Sequence, residues 1–162
     1  MGWEAKVLTV SDSVHQGKAE DRSGPAVRSS LEGAGFRVVE QEVAPDGVEP
    51  VTEALVRLTR GFTGLVVTTG GTGFAPRDLT PEATTRVIDR QAPALAEAMH
   101  RSSPKGRLSR GIAGTNGRCL VLNLPGSPAG ATECLEAVID VVPHALTLLA
   151  GEDPHPHGMP RG

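Results

Sequence analysis

The chain has 162 residues, of which 38% are hydrophobic and 22% charged, and this length and composition are typical of one folded domain rather than of a disordered polypeptide. A formal net charge of −3 and an aromatic content of 2% argue against a general nucleic-acid binder or a protein of anionic membranes. No apolar run approaches the roughly 20 residues of a membrane helix, and the N-terminus has no signal-peptide pattern. We therefore expect a cytoplasmic protein with no nucleic-acid or membrane partner.

Short apolar runs alternate with amphipathic segments, which predicts strands alternating with helices. In chain order, the first half predicts a strand at residues 6–10, a long polar loop at 11–23, a helix from Gly24-Pro25 to Gly35, a strand at 36–43, a helix from Val48 to about Gly61 and a strand at 64–69.

The second half continues the alternation. Its predicted elements are a helix with Thr80-Pro81 as N-cap and N1, a helix at 94–101 after Pro93, a polar loop at 102–110, strands at 111–115 and 119–124 joined by a turn at Asn116-Gly117, and a long helix from Ser127-Pro128 to Leu149, kinked or interrupted at Pro143. Residues 1–150 thus predict a single α/β domain, a three-layer sandwich with a mostly parallel sheet and helices on both faces. Residues 151–162, rich in Pro, Gly and His, predict a flexible tail.

Two cysteines bear on the class of protein. Cys119 and Cys134 do not have the spacing of metal ligands. We interpret them as buried thiols, and a disulfide between them is the less favoured alternative. A zinc finger and a disulfide-stabilised secreted scaffold are therefore set aside.

In an open α/β sheet, ligands bind beyond the carboxyl ends of the strands, near a switch in strand order. The segments that follow the predicted strands are small, polar or acidic, whereas the opposite connections, near Gly35 and residues 61–64, are plain turns. These polar segments are Ser11-Asp12-Ser13, Pro45-Asp46-Gly47, residues 68–78 and residues 123–128. The asymmetry predicts a site for a small, phosphate-rich ligand at one edge of the sheet.

Gly70-Gly71-Thr72-Gly73 follows the third predicted strand and offers backbone N–H groups that no bulky side chain obstructs, as close approach of a phosphate requires. The segment is not a Walker loop, because no Gly-Lys-Ser/Thr follows it. It is not a dinucleotide fingerprint either, because Pro76 stands where the third glycine belongs. A tight turn that merely needs positive φ is the alternative explanation of the glycines.

Two further segments are candidate anion contacts. Ser127-Pro128 offers a helix N-terminus that could hold an anion, with simple helix capping as the alternative. Ser109 lies between Arg107 and Arg110, where an anion contact and a solvated basic loop are both compatible with the sequence.

Asp46 and Asp78 follow the second and third predicted strands. If those strands lie close together, the two carboxylates converge, and beside a phosphate site they would repel the ligand unless a cation lay between. Mg²⁺ suits such a pair, because it takes one or two protein oxygens and keeps its other positions for phosphate and water. The alternative is structural, with Asp46 as a turn residue and Asp78 as a cap.

Residues 68–84 read TTGGTGFAPRDLTPEAT and residues 122–128 read LNLPGSP. In both stretches the chain closely resembles the molybdenum-cofactor biosynthesis family of MogA/MoaB type, the molybdopterin adenylyltransferases, which also occurs as the G domain of gephyrin-like proteins. Ser11-Asp12, Pro45-Asp46-Gly47, Leu108-Ser109-Arg110 and Gly114-Thr115 fall in family order as well. The likeness runs from about residue 5 to residue 150.

The resemblance implies a compact α/β fold that forms homotrimers, sometimes paired into hexamers. It also implies an enzyme that converts molybdopterin and ATP, with Mg²⁺, to adenylylated molybdopterin and pyrophosphate. Carried onto matching positions, Asp46 and Asp78 are the catalytic carboxylates and the Mg²⁺ ligands. The substrate-binding residues are Ser11, Asp12, Thr69, Gly70, Gly71, Thr72, Gly73, Thr80, Ser109, Asn123, Pro125, Gly126 and Ser127. A molybdenum-insertion protein is a candidate partner.

Two other interpretations stay open within this resemblance. Some family members lack adenylylation, and there the acidic positions are altered. Both acidic positions are intact here, which favours an enzyme over a non-catalytic pterin-binding carrier or scaffold. Related domains in competence/damage-inducible proteins imply sugar-nucleotide hydrolysis as a second enzymatic alternative. The choice between molybdenum and tungsten, and between trimer and hexamer, is left open.

Overall fold

Strands and helices alternate along residues 2–151, the part of the chain that the computed structural model describes. The strands are β1 (Glu4–Val10), β2 (Arg37–Ala44), β3 (Gly64–Thr69), β4 (Arg90–Gln91), β5 (Ala113–Asn116) and β6 (Cys119–Leu124). The α-helices are α1 (Asp12–His15), α2 (Ser23–Gly33), α3 (Val48–Thr59), α4 (Thr80–Val87), α5 (Pro93–Arg101), α6 (Pro128–Glu136) and α7 (Val142–Leu149). A 3₁₀ turn at Gly106–Leu108 lies between α5 and β5.

The strands form one sheet in the order β2-β1-β3-β6-β5-β4. β1, β2, β3 and β6 are parallel, whereas β5 and β4 form an antiparallel edge. The predicted mostly parallel sheet is therefore confirmed, and so is the hairpin, in which Asn116 pairs with Cys119 across a turn at Gly117. Because the chain passes from β1 to β2 on one side and then to β3 on the other, strand order switches between β1 and β3.

Helices cover both faces of the sheet, because its central strands are apolar on both sides. Val7 and Leu65 belong to a buried cluster with side chains of α2, α5, α6 and α7. Leu8 and Val66, one position further along each strand, belong to a second cluster with α3 and α4. Every residue of β3 and β6 is buried, as expected of parallel strands between two helical layers. The predicted three-layer α/β sandwich is confirmed.

Several predicted elements need correction. The predicted loop at 11–23 contains α1, because the Ser11 hydroxyl accepts the Val14 N–H and caps a short helix. β4 was not predicted. The long C-terminal helix is in fact α6 followed by α7, since the chain leaves the helix at residues 137–141, and Pro143 lies in the first turn of α7. Leu79, not Thr80, occupies the N-cap position of α4. Ser127 caps α6 as predicted.

Both cysteines are buried free thiols, which confirms the interpretation from sequence and removes the disulfide alternative. Burial raises the pKa of Cys119 to about 11, and its thiol donates to the Phe62 carbonyl over 2.9 Å. No helix within residues 2–151 is long and apolar enough to cross a membrane. The predicted tail lies outside the described residues, apart from Gly151.

Candidate active site

The carboxyl ends of the four parallel strands meet at a cavity of about 410 Å³. Its lining includes Val10 at the end of β1 and Ser11 after it, Asp46 after β2, Thr69, Gly70, Gly71 and Asp78 in and after β3, and Gly126 after β6. The cavity lies where strand order switches, the position at which open α/β sheets bind ligands. The structure therefore brings together residues as far apart in the sequence as Val10 and Gly126.

The glycines after β3 are required by the backbone. Gly70 and Gly71 have φ of 105° and 68°, a region that residues with a side chain rarely adopt. A Cβ at Gly70 would lie 2.2 Å from the Val10 carbonyl oxygen, and one at Gly71 would lie 2.2 Å from Thr80 Oγ1. Thr80 Oγ1 also donates to the Gly70 carbonyl over 3.0 Å, so α4 and the glycine turn are joined at this point.

Asp12 and Asp46 bind each other's backbone. The Asp12 N–H donates to Asp46 Oδ2 over 2.9 Å, and the Asp46 N–H donates to Asp12 Oδ1 over 3.1 Å. The Arg77 guanidinium binds the Asp12 carboxylate and holds the pKa of Asp12 below its usual value. Burial raises the pKa of Asp46, and the negative charges of Asp12 and Asp78 add to the rise.

The Asp46 and Asp78 carboxylates each use one oxygen within the protein. Asp46 Oδ2 accepts the Asp12 N–H, and Asp78 Oδ2 accepts the Ala75 N–H over 3.1 Å. No residue within 2–151 donates a hydrogen bond to Oδ1 of either carboxylate. Two carboxylates with one free oxygen each, on one cavity, fit Mg²⁺. No group of three or more His, Cys, Asp or Glu among the described residues could hold a metal.

Arg110 fixes the loop after β3 from the opposite side. Its backbone N–H donates to the Thr72 carbonyl over 2.8 Å, and its guanidinium donates to the Gly73 and Asp78 carbonyls over 2.9 and 2.6 Å. The same guanidinium binds the Glu82 carboxylate at 2.7 Å and lowers the pKa of Glu82. Arg110 was open to explanation as an anion contact or as part of a solvated basic loop, and the structure instead gives its guanidinium protein partners.

A second, smaller cavity of about 240 Å³ adjoins the 125–130 segment. Its lining includes Ser109 and Lys105 on one side and Pro125, Ser127 and Glu133 on the other. The 125–130 segment lines both cavities, since Gly126 and Pro128 belong to the first. The two cavities are therefore both bounded by this segment.

Comparison with known proteins identifies the family. A family model described as "Probable molybdopterin binding domain" matches residues 6–144. The chain belongs to the MogA/MoaB family of molybdenum-cofactor biosynthesis proteins. It is 38% identical over 152 residues to the molybdopterin adenylyltransferase of Helicobacter pylori strain J99, covering 90% of this chain and 86% of that protein. The solved structure of MoaB from Thermus thermophilus matches with a TM-score of 0.86 at 46% identity, over 93% of this chain and 98% of that one.

Some relatives are much longer. The chain is 38% identical over 153 residues to the molybdenum cofactor synthesis protein cinnamon of Drosophila melanogaster, but it spans only 25% of that protein's length. The resemblance found in the sequence motifs is thus confirmed for family and fold. In the longer relative, this chain corresponds to one part of the protein.

The predicted site residues of this family member fall into groups by position. Those lining the first cavity are Ser11, Asp46, Thr69, Gly70, Gly71, Asp78 and Gly126. Those lining the second are Ser109, Pro125 and Ser127. Those that line neither cavity are Asp12, Thr72, Gly73, Thr80 and Asn123. Members of this last group are bound to other protein groups and help to shape the loops.

Asn123 is the predicted substrate residue whose side chain is most fully engaged by the protein, and the residue is only 2% exposed. Its Oδ1 accepts the Ile112 N–H over 3.1 Å, and its Nδ2 donates to the hydroxyls of Thr68 and Thr84 over 3.0 Å each. The side chain therefore has protein partners for both of its polar atoms and points between β6, β3 and α4.

The first cavity also has a wall that sequence reasoning missed. Residues 20–23 and Thr9 line it, whereas the sequence predicts only a polar loop at 11–23 and a strand at Thr9. Asp21 accepts the Thr9 hydroxyl over 2.8 Å and the Gly24 N–H over 2.9 Å. Asp21 lies just before α2 and accepts the N–H of a first-turn residue three positions further on, a spacing typical of helix capping that could have located this wall.

Proposed function

We propose that this chain transfers the adenylyl group of ATP to molybdopterin and releases pyrophosphate, with Mg²⁺ as cofactor. The observation that carries the proposal is the convergence of Asp46 and Asp78, each with one free carboxylate oxygen, beside the glycine turn in one cavity. The proposal is supported by relatives that bear the name molybdopterin adenylyltransferase and cover most of this chain.

The chain's own groups suit an adenylyl transfer, which depends mainly on positioning two anions and neutralising charge. An oxygen of the pterin's phosphate attacks the α-phosphorus of ATP, and the bond from that phosphorus to the bridging oxygen breaks as pyrophosphate leaves. Gly71 lines the first cavity, and its N–H donates no hydrogen bond to any residue within 2–151, so it is free to bind a phosphate oxygen. Asp46 and Asp78 would hold Mg²⁺, which supplies positive charge to the phosphates when bound.

The two cavities suit two substrates. We assign the larger cavity to the nucleotide, because the glycine turn and both carboxylates line it. We assign the smaller cavity to the pterin, where the hydroxyls of Ser109 and Ser127 can bind polar ring atoms. The reacting phosphates would then meet at the 125–130 segment.

We also propose a cytoplasmic homotrimer, alone or paired into a hexamer, that passes its product to a molybdenum-insertion protein. Exposed apolar side chains support assembly, since Phe74 and Leu108 are 68% and 60% exposed on a single chain.

The experiment is carboxylate-to-amide replacement with pyrophosphate release as the readout. Asp46→Asn and Asp78→Asn keep the shape of each side chain but remove its charge. We expect turnover to fall by roughly 10²-fold or more in each, while the melting temperature changes by a few degrees, equivalent to about 1 kcal/mol. Pterin binding should persist, since the second cavity is intact.

Glu49→Gln is the matched control, because Glu49 is an exposed carboxylate that pairs with Arg86 away from the cavity. Near-wild-type turnover in both aspartate variants would contradict the assignment of catalytic carboxylates. Binding of pterin without pyrophosphate release by the wild-type chain would favour the carrier, and nucleotide cleavage without pterin would favour a hydrolase.

A further inference from the structure

The Arg77 side chain joins the three loops that follow β1, β2 and β3. Its Nε donates to Asp12 Oδ2 over 2.7 Å, and its Nη2 donates to Asp12 Oδ1 over 3.0 Å and to the Asp46 carbonyl over 2.8 Å. We propose that Arg77 is a positioning residue that fixes the orientation of the Asp46 carboxylate through Asp12. The inference rests on the proposed function, because it concerns a carboxylate assigned there to Mg²⁺.

Asp46 depends on Asp12 for its orientation. The Asp12 N–H is the described donor to Asp46 Oδ2, and Asp12 Oδ1 accepts the Asp46 N–H in return. Arg77 binds that same Asp12 Oδ1 and also the Asp46 carbonyl. The guanidinium therefore closes a ring of hydrogen bonds that leaves Asp46 Oδ1 as the free oxygen, beside Gly71.

The charges of the neighbouring loops give a second reason for the Arg77 guanidinium at this position. Asp12, Asp46 and Asp78 bring three carboxylates to neighbouring loops, and like charges at such distances repel each other. Arg77 binds one of the three directly. Without it, separation of the Asp12 and Asp46 loops would relieve the repulsion, and the metal-facing oxygen would move with them.

Arg77 differs from an ordinary surface ion pair in its geometry. Its side chain is 63% exposed, so its contribution to folding stability is small. Its planar guanidinium nevertheless binds the Asp12 carboxylate through two nitrogens and also donates to the Asp46 carbonyl. A lysine ammonium cannot reproduce this arrangement. Arg77 is not among the residues that line the first cavity, which distinguishes positioning from direct contact with the ligand.

The test compares Arg77→Gln and Arg77→Lys with Arg86→Gln, which removes an exposed pair between α3 and α4. Calorimetry measures the affinity for ATP with Mg²⁺ and with a chelator, and needs no turnover. Loss of a group that orients a metal ligand typically costs about 10–100-fold in metal affinity or activity. We expect both Arg77 variants to lose most of the gain in ATP affinity that Mg²⁺ brings, with unchanged melting temperature, lower kcat and unchanged KM for pterin.

A double variant separates positioning from general charge effects. If Arg77 acts through Asp12, then Asp12→Asn combined with Arg77→Gln should be no worse than the more damaging single change. Full Mg²⁺ dependence in Arg77→Gln, full activity in Arg77→Lys, or simple additivity in the double variant would each overturn the proposal.

A crystal structure of Arg77→Gln decides the point independently of any activity. We expect the Asp46 carboxylate to leave the Asp12 N–H, whereas an unchanged contact would refute the inference. A wild-type chain that releases no pyrophosphate would contradict the proposed function and leave this structural result standing, so the two failures are distinguishable.

Discussion

Replacement of Asn123 by alanine tests whether this residue binds substrate or stabilises the fold. The Asn123 side chain makes three hydrogen bonds within the protein, to the Ile112 N–H and to the Thr68 and Thr84 hydroxyls. The Thr84 hydroxyl in turn donates to the Thr80 carbonyl over 2.8 Å. The substitution therefore removes the central member of a buried network that joins two strands to α4.

The expected loss follows from these partners. An N–H left without an acceptor costs about 1–3 kcal/mol, and each lost hydroxyl contact about 0.5–1.5 kcal/mol, so we expect Asn123→Ala to lower the free energy of unfolding by about 4 kcal/mol. For a domain of this size, 1 kcal/mol corresponds to about 2–4 °C, so the melting temperature should fall by roughly 8–16 °C. Typical domains have about 5–15 kcal/mol of stability, so the variant should still fold at low temperature.

Thermal denaturation measured by circular dichroism checks the magnitude, with Asn116→Ala as the matched control. Asn116 makes one such bond, from its Nδ2 to the Val87 carbonyl over 2.7 Å, and its loss should cost about 1 kcal/mol. Below its midpoint, Asn123→Ala should bind ATP with nearly wild-type affinity. A melting temperature equal to that of Asn116→Ala, together with lost ligand binding, would refute the structural role and restore Asn123 as a substrate contact.

Three further predictions concern pH, reactivity and assembly. Asp89→Asn should lower the melting temperature at pH 7. The effect should become progressively smaller as the pH falls below 3.8, the ordinary pKa of an aspartate. Hydrogen bonds from the Thr115 hydroxyl and the Gly117 N–H keep the pKa of Asp89 in the folded state below that value. The stability that the Asp89 charge provides is therefore lost on acidification. A difference in melting temperature from wild type that stays constant with pH would contradict this. Cys119 and Cys134 should resist alkylation at pH 8 in the native protein but react after denaturation, because burial raises the pKa of both thiols; rapid native labelling would show that they are accessible. Light scattering should give three or six times the mass of one chain, and a stable monomer would contradict the proposed assembly.

The position of the first cavity could be predicted from the sequence because it depends on local patterns. Apolar runs locate the strands, and the polar segments that follow them must lie at one edge of a parallel sheet. Asp46, Gly70, Gly71 and Asp78 accordingly line one cavity. The glycines were also open to explanation as a simple tight turn, and their positive φ shows that they do form one. The two explanations are compatible, since the same lack of a side chain leaves the backbone exposed.

The direction of individual side chains was harder to predict. Asn123 was grouped with the polar segment that follows the last strand, although it lies within the strand predicted at 119–124, which the structure confirms as β6. Because side chains alternate along a strand, Asn123 shares its face with Val121, which packs in the cluster of α3 and α4. The alternation of side chains along CLVLNL, residues 119–124, thus indicates that Asn123 faces the same helical layer as Val121. Thr80 was assigned to a helix cap from its place before Pro81, whereas its hydroxyl binds the Gly70 carbonyl.

The roles of the arginines could not be found from the sequence at all. Arg77 binds a carboxylate 65 residues away, and Arg110 binds carbonyls 32 and 37 residues away. A local pattern contains no information about such partners, and an arginine in a polar loop is more simply explained as a solvated charge. Tertiary structure alone shows that both guanidinium groups are bound to the loops around the cavity.

The charge of the first cavity bears on the form of nucleotide that it can accept. Its lining includes four acidic residues, Glu20, Asp21, Asp46 and Asp78, and one arginine, Arg22. Arg77 and Arg110 are not among the lining residues, and their guanidinium groups bind protein carboxylates and carbonyls, so their charge is already engaged. A polyphosphate brought alone into this lining would meet an excess of negative charge, with backbone N–H groups to offset it. We therefore infer that the cavity accepts a polyphosphate that arrives with its own divalent cation, for which the free oxygens of Asp46 and Asp78 would be ligands.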